Sequence, residues 1–469
     1  MAFSWTTVRH RHRRSEALGT TRPGLGQLLS LAAYWFGLSI LWGSITTIVL
    51  PYLVGEHVAP GIRGSALALI AVLQAGVAIV VQPLAGAASD RLPTAWGLRR
   101  PWMFAGVTVQ FALVGVLALA GGYWSILAIM LLIELASNSA QGPYQGLLPD
   151  LVPQGERGLA SGLLGGAQLG GQVIGVAAAG AAIAFGAIEA AIVLSGAAVW
   201  LGMLVTVLGV PEQAAGARGG AAGSPIRSAR AWVAHLAGPR QWAAPIRTML
   251  VEVWGRDILK QRDYLWLLAS RLAILMATGS LQPFILYYLE DSLHLRTNAS
   301  AAVAPIAGLV AVVALLSVIP GGALTARYGR IRTVLLSSLV GVVGAGLFSI
   351  APSYGWLFPI AIPFGMAIGI FLSADWALLV DLVPAGEAGR YLGLSNTVTA
   401  GAGLLSIAIA GPVADIVNGY RPGDGYRAIF ILAAAEFLIG AICIRHVHEP
   451  HLAIPTGVEL GGRPVETEG

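Results

Sequence analysis

Four polar side chains recur at helical spacing within an otherwise apolar stretch. Glu134, Asn138, Gln141 and Gln145 stand at positions i, i+4, i+7 and i+11, which places them along one face of a single helix. A carboxylate is costly in an apolar interior, so it can take up or release a proton when its access to water changes. Glu134 is therefore a candidate proton-coupling residue, and the three amides are candidates for a ligand cavity.

Two interpretations of Glu134 stay open. In the first, the carboxyl group exchanges protons during a functional cycle. In the second, it pairs with an interior arginine such as Arg271 and only fixes helix packing. The amides have a similar alternative, because side-chain amides inside a membrane often hydrogen-bond from helix to helix.

Further candidates for the ligand cavity lie elsewhere in apolar segments. Arg271 and Asp375 are ionisable groups inside predicted membrane helices, where such groups are functional hypotheses by default. Gln282 can hydrogen-bond a ligand hydroxyl. Trp42 is near the middle of the first predicted helix, where its ring could stack on the apolar face of a ligand. Each could instead serve packing alone.

The elements that hold these residues follow from composition. Of 469 residues, 56% are hydrophobic and only 11% are charged, and the mean hydropathy is +0.75. A soluble domain carries roughly 25% charged residues. The chain is therefore predicted to be an all-α membrane protein of about twelve transmembrane helices. We predict spans at 27–54, 66–88, 102–121, 124–148, 159–186, 187–210, 264–289, 301–325, 331–351, 355–380, 391–413 and 428–445.

Arginines predict the orientation and the domain organisation. They concentrate in alternate connections and before the first span, which places both termini in the cytoplasm. We expect the first span to stay as a membrane helix, because no small-residue cleavage pattern is evident beside it. The predicted division is a cytoplasmic tail at 1–26, a six-helix bundle at 27–210, a cytoplasmic linker at 211–262, a second six-helix bundle at 263–446 and a cytoplasmic tail at 447–469.

The two predicted bundles resemble each other in sequence. Gly43-Ser44 matches Gly279-Ser280, and the segment 86–91 matches 322–327, both at an offset of 236 positions. The segment 147–153 matches 378–384 at an offset of 231. A nearly constant offset over three motifs indicates two parallel repeats of one six-helix unit.

A basic segment between the second and third spans predicts a cytoplasmic gate. Gly86 lets two helix ends approach, Asp90 can accept hydrogen bonds from a neighbouring helix end, and the arginines can pair across the opening. The repeat-related loops after Asp150 and Asp381 add further charges. Alternatively, the basic loop only sets topology, and the loop charges are solvated. The gate candidates are Gly86, Asp90, Arg91, Arg99, Arg100, Asp150, Arg157, Asp381 and Arg390.

Two motifs carry a family resemblance. Residues 82–91, Gln-Pro-Leu-Ala-Gly-Ala-Ala-Ser-Asp-Arg, with 96–102 after them, resemble the signature loop of the major facilitator superfamily in its sucrose/proton symporter and glycoside–pentoside–hexuronide form. Residues 134–151 resemble the fourth helix of the same symporters. The sequence differs from those symporters at Leu98 and Gln145, where they carry arginine. It also differs at Glu134, where plant members usually carry aspartate. The resemblance implies proton-coupled symport of a sugar or glycoside, such as the disaccharide sucrose.

Other classes of protein are disfavoured. The single cysteine, Cys443, allows neither a disulfide within the chain nor a cysteine metal site. No phosphate-binding loop, metal cluster or nucleophile arrangement stands out, so we expect no enzyme activity, cofactor or metal. The expected partners are a small-molecule substrate, protons and the bilayer of a plasma or inner membrane. We expect no nucleic-acid partner, and we expect the protein to be a monomer. An exporter or uniporter, or a non-transporting receptor or scaffold, are the alternatives.

Overall fold

The computed structural model describes residues 24–91, 96–147, 151–152, 157–210, 258, 260–295, 299–382 and 388–448. Within these ranges the chain forms twelve long helices, which confirms the all-helical prediction. They are α1 (Leu25–His57), α2 (Arg63–Arg91), α3 (Arg100–Leu117), α4 (Tyr123–Gln145), α5 (Arg157–Ala184), α6 (Ile188–Gly209), α7 (Arg262–Gly279), α8 (Ala299–Tyr328), α9 (Arg330–Ile350), α10 (Leu357–Asp381), α11 (Ala388–Tyr420) and α12 (Gly425–Ile444).

Eleven of these helices are long and apolar enough to cross a membrane, judged by length and composition over the described residues. The remaining one, α7, carries Arg262, Asp263 and Arg271 within 18 residues. Most of the predicted linker, 211–257, lies outside the described residues, so the division into domains stays a prediction.

The first helix of each half is irregular. α1 contains a π-helical segment at Ile45–Val49. The predicted seventh span, 264–289, is not continuous: α7 ends at Gly279, and a short helix at Ile285–Tyr287 and a π-helical turn at Tyr288–Ser292 follow. Pro283 lies in the interruption, and proline has no N–H for the helical ladder.

The boundary between α5 and α6 lies at the turn predicted from the sequence. α5 ends at Ala184 and α6 begins at Ile188. Gly186 between them has φ +70°, a left-handed conformation that favours glycine. Two antiparallel helices are therefore separated by a turn of three residues.

The same pattern of helix packing occurs in both halves. In the first half α1 packs on α5 and α6, α2 packs on α4, and α3 packs on α4 and α6. In the second half α7 packs on α11 and α12, α8 on α10, and α9 on α10 and α12. Each pairing recurs six helices later in the chain, as expected for parallel repeats.

The halves contact each other through α2 with α11 and α5 with α8. Gly64 and Gly411 touch in the first interface, and Gly180 and Ser300 in the second, with no room for a β-carbon at either glycine of the first pair. Gly64 and Ser300 are 236 positions apart, and Gly180 and Gly411 are 231 apart. The two interfaces are therefore related by the same offsets as the sequence motifs.

The Tyr287 hydroxyl donates a hydrogen bond of 2.5 Å to the Pro51 carbonyl. These residues are also 236 positions apart, so they meet close to the axis that relates the halves. Several contacts between described residues of different halves lie in the part of the bundle where α1 ends and α2 begins. We call this the Arg63 end, and the part where α3 begins the Arg100 end.

Candidate functional site

Glu134 is held by two neutral amides. Its Oε1 accepts a hydrogen bond of 2.7 Å from Asn138 Nδ2, one turn further along α4. Its Oε2 accepts a bond of 3.2 Å from Gln74 Nε2 on α2. The Asn138 amide also donates to the Glu134 backbone carbonyl at 2.9 Å. Among the described residues no cation pairs with this half-buried carboxyl group.

The other two amides on the polar face of α4, those of Gln141 and Gln145, differ in their surroundings. Gln141 donates through Nε2 to the Ser137 hydroxyl at 2.9 Å, so this part of its amide is occupied within the helix. Gln145, at the last position of α4, is exposed. The structure thus brings Glu134 and Asn138 together with Gln74, and leaves Gln145 free to contact a ligand.

Arg271 contacts Asp375 instead of Glu134. Its Nη1 forms an ion pair with Asp375 Oδ2. Its Nε and Nη2 donate to the Thr399 hydroxyl at 3.3 and 3.1 Å. Arg271 is 8% exposed and Asp375 3%, and removing either partner of such a buried pair costs about 3–5 kcal/mol. The pair therefore joins α7, α10 and α11.

The buried ion pair still has one free acceptor. Asp375 Oδ1 is buried and accepts no hydrogen bond from any described residue. A buried oxygen without a donor is destabilising, and a ligand hydroxyl or a water molecule can satisfy it. Thr399 was not among the sequence candidates, because a threonine on an apolar helix carries no signal of its own.

Gln282 links the two halves. Its Nε2 donates a hydrogen bond of 2.9 Å to the Thr47 hydroxyl, within the π-helical segment of α1. Trp42 lies one turn before that segment and is half-buried, and its carbonyl accepts a bond of 2.6 Å from Thr46. Both candidates therefore lie beside the irregular segment of α1, but the structure gives no contact between them and Glu134.

The gate candidates Arg99 and Arg100 bind helix ends within the first half. Arg99 Nη1 donates to the Pro143 carbonyl at 3.0 Å near the end of α4, and Arg100 Nη2 donates to the Val210 carbonyl after α6. Cations are favourable at these carbonyl-rich ends. Gly86 faces Gly142 closely enough that α2 and α4 nearly touch.

The other gate candidates are placed by their backbone alone. Asp90 and Arg91 end α2, Arg157 begins α5, Asp381 ends α10 and Arg390 lies in the first turn of α11. Their side chains, and the whole of Asp150, lie outside what the structure describes. Charge pairing between the halves at the Arg100 end therefore stays a prediction.

Comparison with known proteins decides the family. Residues 28–407 match the family model of the Major Facilitator Superfamily. The chain belongs to this superfamily. Membership makes it a membrane transporter and not an enzyme, and specifically a secondary transporter that works by alternating access. No curated protein matches the chain in sequence.

Solved structures of other superfamily members have the same fold. The nucleoside transporter NupG superimposes with a TM-score of 0.66 at 15% identity, over 90% of this chain and 98% of that one. A bacterial homolog of the human lysosomal transporter Spinster, in an inward-facing and unoccupied conformation, gives 0.65 at 15% identity, over 89% and 95%. At such identities the likeness concerns the fold alone.

In this superfamily transporter the Arg63 end contains polar contacts between the halves that the sequence did not reveal. Asp415 on α11 accepts hydrogen bonds from the backbone N–H groups of Gly64 at 3.0 Å and Ser65 at 2.6 Å. The carboxylate thus caps the first turn of α2 from the other half. The only sequence feature that pointed to Asp415 was its position two residues beyond a predicted span.

A second contact between the halves involves Arg63. Its Nη1 lies 4.0 Å from Asp291 Oδ2, and its guanidinium lies over the Tyr287 ring at 5.6 Å. Nη2 also donates to the Gly55 carbonyl at 2.8 Å. We call the contacts of Asp415 and Arg63 across the halves the clasp. These contacts hold the two halves together at the Arg63 end in this conformation.

Proposed function

We propose that the chain is a proton-coupled symporter of a sugar or glycoside, such as a disaccharide, with Glu134 as the proton-coupling residue. The observation that carries the proposal is the pair of neutral amide donors, Gln74 and Asn138, on the two oxygens of Glu134. A carboxylate that is held by amides can gain a proton without breaking an ion pair.

Protonation of Glu134 changes what its neighbours can do. The ionised carboxylate accepts from both amides, but the protonated group must itself donate one hydrogen bond. One of the two amides, of Gln74 or Asn138, must then turn or find another partner. An amide released in this way can bind a substrate hydroxyl, which couples proton binding to substrate binding.

The second half supplies complementary groups for a ligand with several hydroxyls. Asp375 Oδ1 is a buried acceptor without a donor, held in place by the pair with Arg271. Trp42, Gln141, Gln145 and Gln282 complete the set of proposed cavity residues. A sugar fits such a set because each hydroxyl both donates and accepts, and its ring offers an apolar face.

The proposed cycle alternates between the two ends of the bundle. The clasp closes the Arg63 end, and the gate candidates would close the Arg100 end, which the arginine distribution predicts to be cytoplasmic with both termini. We propose that the protein works as a monomer in a plasma or inner membrane.

Purified protein in liposomes tests the function. An inward acid gradient should drive uptake of one ligand from a panel of mono- and disaccharides, glycosides and, because NupG is a nucleoside transporter, nucleosides. Uptake should stop when a protonophore removes the gradient. An equal rate with and without the gradient would instead indicate a uniporter, and acceleration by the reverse gradient an exporter.

A further inference from the structure

The hairpin between α8 and α9 ends in a concentrated positive charge. A single residue, Gly329 with φ +86°, joins the two helices. Arg327, Arg330 and Arg332 lie within three residues of that turn. The sequence has no aspartate or glutamate between Asp291 and Asp375, so the hairpin has no carboxylate of its own.

The first half carries an acid at the equivalent position, so the lack of a carboxylate is specific to the second half. At the offset of 236, Ala326 is the counterpart of Asp90, so the acid beside the arginine is missing from this copy. Arg327 lies over the ring of Tyr328 at 5.3 Å, and both are exposed. Within the described part of the chain Arg332 forms no hydrogen bond or ion pair. Its guanidinium is exposed and available to an anion.

A cleft opens beside this guanidinium. Its volume is about 260 Å³, and it is lined by Leu324, Tyr328, Arg332, Thr333 and Leu336, from both helices of the hairpin. We call it the Arg332 cleft. The Thr333 hydroxyl donates to the Gly329 carbonyl at 2.8 Å, which leaves Arg332 as the charged group that can bind a ligand there.

The cleft continues onto an apolar surface that belongs in the bilayer. Leu336, Leu339 and Val343 share the face of α9 that carries Arg332, and they are 42%, 46% and 55% exposed. In a protein with these membrane helices, exposed side chains of this kind face lipid tails. The Arg332 cleft therefore has a cationic polar end and an apolar flank.

We propose that the Arg332 cleft binds an anionic phospholipid, with its phosphate on Arg332 and its acyl chain along the apolar flank of α9. Arginine binds phosphate oxygens in a bidentate manner. The neighbouring Arg327, which is exposed, favours a head group with net negative charge over a zwitterionic one, since each basic residue near an anionic surface contributes about 1 kcal/mol.

Native mass spectrometry of the full-length protein tests the site. Phosphatidylglycerol should bind more tightly than phosphatidylcholine, and Arg332→Gln should weaken the phosphatidylglycerol adduct about fivefold. Arg445→Gln is the matched control, because Arg445 is exposed at the end of α12 and does not line the cleft. It should keep the preference of the wild type.

A second variant and a phosphate control test the same site. Leu336→Trp fills the cleft and leaves the three arginines in place, so it should also remove the preference, whether or not Arg332→Gln folds. Inorganic phosphate should bind far more weakly than the lipid. Equal binding of both lipids, an unchanged preference in Leu336→Trp, or competition by phosphate alone at the same concentration would overturn the proposal.

Discussion

Asp415 on α11 accepts a hydrogen bond of 3.0 Å from the backbone amide of Gly64, the second residue of α2. These residues belong to different halves and are 351 positions apart in the chain. The carboxylate meets the positive end of the α2 dipole, and Gly64 and Gly411 allow the close approach. We expect this bond to break when the Arg63 end opens, which would make it favour one side of the transport cycle.

Asp415→Ala should shift the transporter towards opening at the Arg63 end. Losing charge-assisted bonds of roughly 1.5 kcal/mol changes the ratio of closed to open molecules by about tenfold. Spin labels at the exposed residues Ile62 and Tyr420, with Cys443 replaced by serine, report the distance between the halves. Asp424→Ala removes an acid at the same end that makes no such bond, and its distance distribution should match the wild type. Identical distributions in both variants would contradict the role of the clasp.

Glu290 gives the Arg63 end a dependence on pH. It lies beyond the predicted seventh span, and burial, with Asp291 and Glu56 nearby, raises its pKa from 4.5 to about 7 despite Arg63. Between these values the folded protein binds more protons than the unfolded chain, so its stability falls as pH rises through this window.

Thermal unfolding measures this contribution. The wild type should lose more stability between about pH 5 and about pH 8 than Glu290→Gln, whose side chain does not titrate. The variant should be at least as stable as the wild type at the higher pH, because no buried carboxylate has to ionise. A variant with the same pH dependence as the wild type would show that other groups are responsible.

The pair of Arg271 and Asp375 should behave as a unit. Arg271→Gln alone leaves a buried carboxylate without its cation and should cost about 3–5 kcal/mol. The double variant Arg271→Gln with Asp375→Asn should recover most of that loss, because no net charge remains buried. Thermal unfolding of the single and double variants gives the coupling energy.

The same double variant separates packing from ligand binding. If Asp375 Oδ1 binds substrate, added ligand should stabilise the double variant less than the wild type, because a neutral amide oxygen is a weaker acceptor than a carboxylate oxygen. Full stabilisation of the double variant by the ligand would restrict the pair to a packing role.

The helices and their repetition could be predicted from the sequence, because both depend on local apolar runs and on offsets within the chain. The interruption of the seventh span was missed, although Pro283 marks it. The partner of Arg271 is set by which helices become neighbours, and Asp375 lies 104 positions away. Asp415 binds backbone amides, which every residue except proline provides, so no pattern of side chains could reveal its role.

Uptake driven by an acid gradient, compared between wild type and Glu134→Gln in liposomes, tests proton coupling most directly. Glutamine resembles the protonated carboxyl group in size and neutrality, so the variant should still exchange ligand down its concentration gradient. It should no longer accumulate ligand when the external medium is acidic. Accumulation by Glu134→Gln at the wild-type level would contradict the account, since the proton would then be carried by another group.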